Sequence, residues 1–111
     1  MTLDRARADA RKDLFGGTGT VHVWELGART PPFTAVLWCE LEPGGRVGAH
    51  RQDTDDEVVI VVGGEAVVYV DRRAHGCAAG SAVALPLGSI LEIDNASAVE
   101  PVRYLIVKAR R

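Results

Sequence analysis

An all-β domain, built as an antiparallel sandwich or barrel, is the fold class this sequence predicts. Three observations carry that expectation. Short apolar runs with two-residue alternation recur from Thr18 to the C-terminal end. Glycine pairs, prolines and an Asp-Asn step separate these runs every several residues. No internal stretch carries the apolar stripe of a helix, so the strand–helix alternation of a parallel sheet is missing.

Residues 1–17 read as an N-terminal arm, mixing Arg, Ala, Asp and Lys without a continuous apolar stripe and ending at Phe15-Gly16-Gly17. A frayed helix, a surface segment or a tail exchanged between subunits would each fit that composition. The barrel is expected over residues 18–111. Its first strand runs through Val21, Val23 and Leu26 to Gly27, and Pro31-Pro32 break the chain again.

Phe33 to Glu42 is a clear strand. Phe33, Ala35, Leu37, Cys39 and Leu41 make one apolar face, while Thr34, Glu40 and Glu42 mark the other, with Val36 and Trp38 between them. Such alternation places one face on a core. A large aromatic such as Trp38 on the second face points to a subunit contact. After the Pro43-Gly44-Gly45 turn come a short strand from Val47 to Gln52, a polar loop from Asp53 to Asp56, and a β-branched strand from Glu57 to Val62. Gly63-Gly64 turn the chain into Glu65–Val70. Asp71 to Gly80 reads as a loop. Short strands follow at Ala82–Leu85, Ile90–Ile93 and Val102–Val107, before a basic end from Lys108 to Arg111.

The 111 residues suffice for one domain with its own core. With 47 % apolar and 25 % charged residues, the chain has the profile of a folded protein rather than a disordered one. A net charge of −2 provides no field for nucleic acid or an anionic membrane. No apolar run approaches a membrane span. The charged start has no apolar core behind it, so a secretory signal is not expected and a cytoplasmic location is. Cys39 and Cys77 are far apart and belong to no C-x-x-C pair, so free thiols are expected, with Cys39 packed as a small hydrophobe and Cys77 more exposed.

The chemistry concentrates between Gly44 and Gly64, in GGRVGAHRQDTDDEVVIVVGG. His50, Gln52 and Glu57 stand there at the mouth of a strand that should be buried. The glycines of this stretch, and a second set formed by Gly80, Pro86, Gly88 and Asn95, carry a resemblance to the cupins, small jelly-roll barrels also called double-stranded β-helices. In the first cupin motif Gly44 opens, His50 takes the first His, Gln52 stands in place of the second, Glu57 takes the Glu and Gly64 closes. In the second motif Gly80, Pro86, Gly88 and Asn95 fit, and Leu91 stands in place of the His. The resemblance covers roughly residues 33 to 107.

The resemblance implies a double-stranded β-helix and, in metal-binding members, one divalent ion held by the two motifs. Here His50, Gln52 and Glu57 are the donors that remain, and Leu91 can ligate nothing. Three functions follow from it. The first is a small-molecule-binding barrel with a degenerate metal site. The second is a metal-dependent oxygenase or isomerase using His50, Gln52 and Glu57. The third is a metal-independent isomerase in which His50 and Glu57 act as acid and base. Asp53 or Asp55 could replace a missing donor if the loop folds inward, and Tyr69 could point into the cavity. Glu92, neighbour to the inward position 91, should face out. His22 is expected in solvent or against a partner, and His75 in solvent. Small cupins resemble one another in pairing as homodimers, and Trp24, Trp38 and the stretch ahead of Gly27 could supply that contact.

Overall fold

The computed structural model describes residues 3–27 and 29–111. Among the described residues ten strands form two sheets: β1 (Asp9–Lys12), β2 (Thr20–Glu25), β3 (Phe33–Leu41), β4 (Arg46–Arg51), β5 (Asp56–Gly63), β6 (Glu65–Val70), β7 (Arg73–Ala78), β8 (Ala82–Leu85), β9 (Ile90–Asn95) and β10 (Val102–Ala109). One sheet has the order β1-β2-β3-β10-β5-β8 and the other β4-β9-β6-β7, all pairs antiparallel. This is a jelly roll, in keeping with the antiparallel sandwich or barrel expected from the alternation pattern and with the fold that the motif resemblance implies.

Period-two burial places the core between the sheets. Val21 and Val23 of β2, Cys39 and Leu41 of β3, Val59 and Val61 of β5, Val68 of β6, and Leu91 and Ile93 of β9 are all buried in one cluster. The cluster removes apolar side chains from water at roughly 25 cal/mol per Å², the main favourable term in folding. The motif glycines Gly44, Gly64, Gly80 and Gly88 all adopt positive φ, so the turns they make exclude most other residues. At Gly64 a Cβ would also sit 2.5 Å from the Pro101 carbonyl oxygen.

Asn95, at the end of β9, ties the barrel together. Its side-chain amide donates to the carbonyls of Leu41 (3.2 Å), Glu42 (3.0 Å) and Glu100 (2.8 Å), and its Oδ1 accepts from the Ser97 amide (2.8 Å). One buried side chain thereby joins carbonyls at the end of β3 and in the β3–β4 and β9–β10 connections.

One stretch differs from the sequence expectation. The segment from Asp71 to Gly80, expected as a loop, contains β7, which pairs with β6 from Val70↔Arg73 to Glu65↔Ala78. Asp71 and Arg72 both have left-handed φ (49° and 69°), as a two-residue hairpin turn requires. Backbone pairing alone makes this strand. Within it only Cys77 faces inward, so the RAHGCA sequence shows no alternation. Cys77 is accordingly buried rather than exposed, opposite Ala66.

The N-terminal segment lies on the surface, with β1 exposed along its length. Asp4 caps a short 3₁₀ turn (Arg5–Arg7) by accepting from the Ala6 amide, and β1 then adds an edge strand to β2. The segment lies over the outer face of the six-stranded sheet. Arg5 reaches Glu40 at 2.7 Å and sits against His22, and the Trp24 indole donates to the Asp4 carbonyl at 2.9 Å. Trp24 is therefore buried by its own chain.

Beyond that cover, the outer face of the sheet is apolar. Trp24, Trp38, Leu105, Ile60 and Ala82 stand opposite one another in a single row across β2, β3, β10, β5 and β8. Val36, Val107, Val58 and Ala84 form the next row. Trp38, Leu105 and Ile60 are half-buried.

Candidate functional site

The jelly roll leaves a cavity of about 430 Å³ between the sheets at one end of the barrel. Strand parity decides what enters it. On β5, Glu57 takes the same inward phase as Val59 and Val61. On β10, Tyr104, Ile106 and Lys108 take the inward phase, and all three line the cavity. On β9 that phase belongs to Leu91 and Ile93, so Glu92 points away from the cavity and pairs with Arg46.

His50, Gln52 and Glu57 all line this one cavity. His50 lies directly opposite Leu91 in the β4–β9 ladder. Its Nδ1 is 3.0 Å from the Gly48 carbonyl. A carbonyl only accepts, so Nδ1 carries the proton and Nε2 is left as an acceptor. The imidazole stacks on Phe15 with ring centroids 3.8 Å apart and planes 15° apart. Burial lowers the His50 pKa and favours the neutral ring.

The stack depends on close backbone contact. A Cβ on Gly48 would meet the Phe15 carbonyl oxygen at 2.0 Å, and one on Gly17 would meet the Arg46 carbonyl oxygen at 1.9 Å. Phe15 itself has φ of 53°, a strained conformation for a side-chain-bearing residue. It is held there by the Thr18 amide bonding to the Arg46 carbonyl at 2.9 Å and by Leu14 packing on the core.

Gln52 is pinned through its backbone. Its amide donates to Ser89 O and its carbonyl accepts from Gly88 N, each at 2.8 Å. Its side-chain Nε2 is buried with no hydrogen-bond partner among the described residues. The Glu57 side chain is 1 % exposed, with Lys108 Nζ 3.7 Å from Oε1 and no partner for Oε2. Burial pushes the Glu57 carboxyl up to about 6, while Lys108 pulls in the opposite direction. Lys108 and Glu57 stand directly opposite each other in the β10–β5 ladder.

The other candidates disperse. Asp53 lines the cavity, whereas Asp55 lies against Arg110 at 3.6 Å and Asp56 pairs with Arg111 at 2.8 Å. The Tyr69 hydroxyl donates to Asp94 at 3.1 Å, away from the cavity. His22 sits against Arg5, and His75 is exposed on β7. Both cysteines are free. Cys39 lines the cavity opposite Tyr104, and burial pushes its thiol up to about 12, so it stays protonated and is no nucleophile.

Sequence reasoning missed Lys108, Phe15, Arg11 and Tyr104 as cavity residues. For Lys108 a signal existed. It continues the inward alternation of Tyr104 and Ile106 and is not merely the start of a basic tail. For Phe15 none existed, because its contact with His50 joins residues far apart in sequence.

Among the described residues, no three His, Cys, Asp or Glu side chains are grouped so that they could hold a metal ion. Nor is any helix long and apolar enough to cross a membrane. A second hollow, of about 680 Å³, lies outside the barrel among Arg29, Phe33, Arg110 and Arg111.

The comparisons agree with this architecture. No curated protein matches the chain. Among solved structures, a predicted oxalate decarboxylase from Thermotoga maritima superposes with a TM-score of 0.88 at 20 % identity, covering 100 % of both chains. A cupin 2 conserved barrel domain protein from Salinispora arenicola gives 0.77 at 25 % identity, over 98 % of this chain and 86 % of that one. KdgF from a Halomonas species gives 0.73 at 14 % identity, over 100 % and 94 %. Residues 37–108, which run from β3 through the end of the cavity-lining phase of β10, match the family described as the cupin domain. On the jelly-roll topology, the two glycine-marked motifs and that match, the chain belongs to the cupin domain family.

Proposed function

We propose that this cupin binds a small organic molecule in the barrel cavity and does so without a resident metal. The observation that carries this reading is Lys108. An ammonium 3.7 Å from the Glu57 carboxylate places a fixed positive charge beside the one anionic donor of the family's ligand set. A divalent ion there would face charge repulsion. It would also lack a fourth donor, because Leu91 puts an apolar side chain opposite His50. The remaining set, one imidazole, one carboxamide and one carboxylate, is poor for zinc or iron. The residues present do not fit the family's metal. The cavity volume and its mixed apolar and polar lining are those of a small-molecule site.

Thermal-shift screening of untagged protein tests the proposal. Small organic ligands should raise the midpoint, because binding to the native state stabilises it, and iron, manganese, nickel and zinc should not. Stoichiometric metal lost on His50→Ala would overturn the metal-free part and restore the oxygenase or isomerase reading.

A second reading is metal-independent proton transfer on the bound molecule by His50 and Glu57. It draws on the placement of a neutral imidazole with an accepting Nε2 and a buried carboxyl on one cavity wall. Turnover lost in Glu57→Gln would support it.

We also propose a homodimer. The apolar rows centred on Trp38, Leu105 and Ile60 leave an unpartnered sheet face, and a second copy of the same face would cover it isologously. The free thiols Cys39 and Cys77 are in keeping with a cytoplasmic location.

A further inference from the structure

We propose that the cavity is built for a small carboxylate that also carries a hydroxyl, on an apolar body. This rests on the reading of the cavity as a ligand site and adds the chemistry of its occupant.

The inference comes from hydrogen-bonding capacity left over in the lining. On the donor side, Lys108 carries an ammonium whose one ion-pair contact among the described residues is Glu57 Oε1, at 3.7 Å. Gln52 adds a buried amide nitrogen with no partner. Arg51, also in the lining, spends one guanidinium nitrogen on the Gly88 carbonyl at 2.7 Å, and its remaining donors have no partner among the described residues. These groups call for an anionic acceptor of oxygen type.

On the acceptor side, Glu57 Oε2 is buried and unpartnered. It calls for an O–H or N–H, which a bare hydrocarbon acid lacks once ionised. A buried unsatisfied group of this kind is unfavourable, and a ligand that pairs it removes that cost. The rest of the wall is apolar, with Leu37, Leu91 and Ile106 facing the same space. An occupant that pairs all three kinds of surface has a carboxylate, a hydroxyl and a hydrocarbon portion.

The probes that separate these demands are mandelate, phenylacetate (no hydroxyl) and 1-phenylethane-1,2-diol (no charge). Binding is measured by calorimetry at pH 8, with methyl NMR of Leu91 and Ile106 to locate each probe. Mandelate should bind at least about tenfold more tightly than either analogue, an increment typical of one charge-assisted or buried hydrogen bond. Lys108→Met, which keeps the stem and removes the charge, should bring mandelate down to the level of the diol. Lys108→Arg should retain most of the preference.

Equal binding of diol and mandelate, with the cavity methyls shifting for both, would overturn the carboxylate assignment and leave the cavity a ligand site. Unchanged mandelate binding in Lys108→Met would overturn it as well. Inorganic phosphate displacing mandelate at equal concentration would reassign the site to phosphates. No methyl shift with any probe would remove both this assignment and the ligand-site reading.

Discussion

Leu91 faces His50 directly across the β4–β9 ladder, so the family's two motifs meet here as one imidazole against one isobutyl group. The inward position that completes a metal set is intact in backbone and altered in side chain only. Leu91→His should therefore create a metal site that the natural chain lacks. At a nickel concentration about 100 times Kd, binding should add about 2.7 kcal/mol to stability. The measurement is the thermal midpoint with and without metal, in Leu91→His alone and combined with Lys108→Met. The double variant should respond more strongly. No response in either would mean that the register does not bring these positions within reach of one ion.

The Glu57 carboxyl sets a pH dependence. Its folded-state pKa of about 6 lies above the ordinary 4.5, so the folded state holds this proton more tightly than the unfolded chain does. The resulting stabilisation is complete below 4.5 and is lost as pH rises through about 6. The loss approaches about 2 kcal/mol. Glu57→Gln cannot ionise, so relative to the natural protein it should gain stability between pH 4.5 and 7. Urea denaturation at several pH values measures this, and parallel stability curves for the two proteins would contradict the buried-carboxyl account.

The stack of Phe15 on His50 makes a separate prediction. Phe15→Gly removes the ring and at the same time relieves a left-handed φ of 53°. The two effects on stability oppose each other, and relief of such strain returns about 1 kcal/mol. The midpoint should change little. The His50 pKa should rise toward its ordinary value, because the desolvation that lowers it is reduced. An NMR titration of the imidazole reads this directly, and an unmoved pKa would show that other groups keep the ring dry.

How much of this was open to sequence reasoning varies by residue. Gly44, Gly64, Gly80 and Gly88 were legible because each occupies a backbone conformation that few other residues tolerate. His50, Gln52 and Glu57 were legible by spacing, and Glu92 by parity. β7 was not, because its pairing uses backbone groups that any sequence possesses. Lys108 was hidden by its neighbours Arg110 and Arg111, since a run of basic residues at a chain end reads as solvated even where one of them points inward. The Phe15–His50 contact, set by the Gly17–Gly48 backbone approach, has no local signature at all.

Asn95→Ala should be among the most destabilising single changes. It leaves the Leu41, Glu42 and Glu100 carbonyls without their shared donor. The cost should be about 3 kcal/mol, the range for breaking a buried polar network. Chemical denaturation measures it, and a cost below about 1 kcal/mol would mean that water replaces the amide.

The outer apolar rows predict the response of the oligomer. Ile60→Asp puts a charge in the middle of the row that joins Trp38, Leu105 and Ala82, on a side chain that faces away from the core. Light scattering should find a dimer for the natural chain and a folded monomer for the variant. A dimer that survives Ile60→Asp would place the contact elsewhere.

The interlocked glycines at 17 and 48 have a consequence for how such barrels diversify. They let a segment from outside the family-matched region 37–108 supply part of the chamber wall, through Leu14 and Phe15. The barrel provides the vessel, and the turn at Leu14 and Phe15 acts as its stopper. Exchanging that stopper for one of different length or bulk would retune what the vessel admits while leaving every strand of the barrel in place.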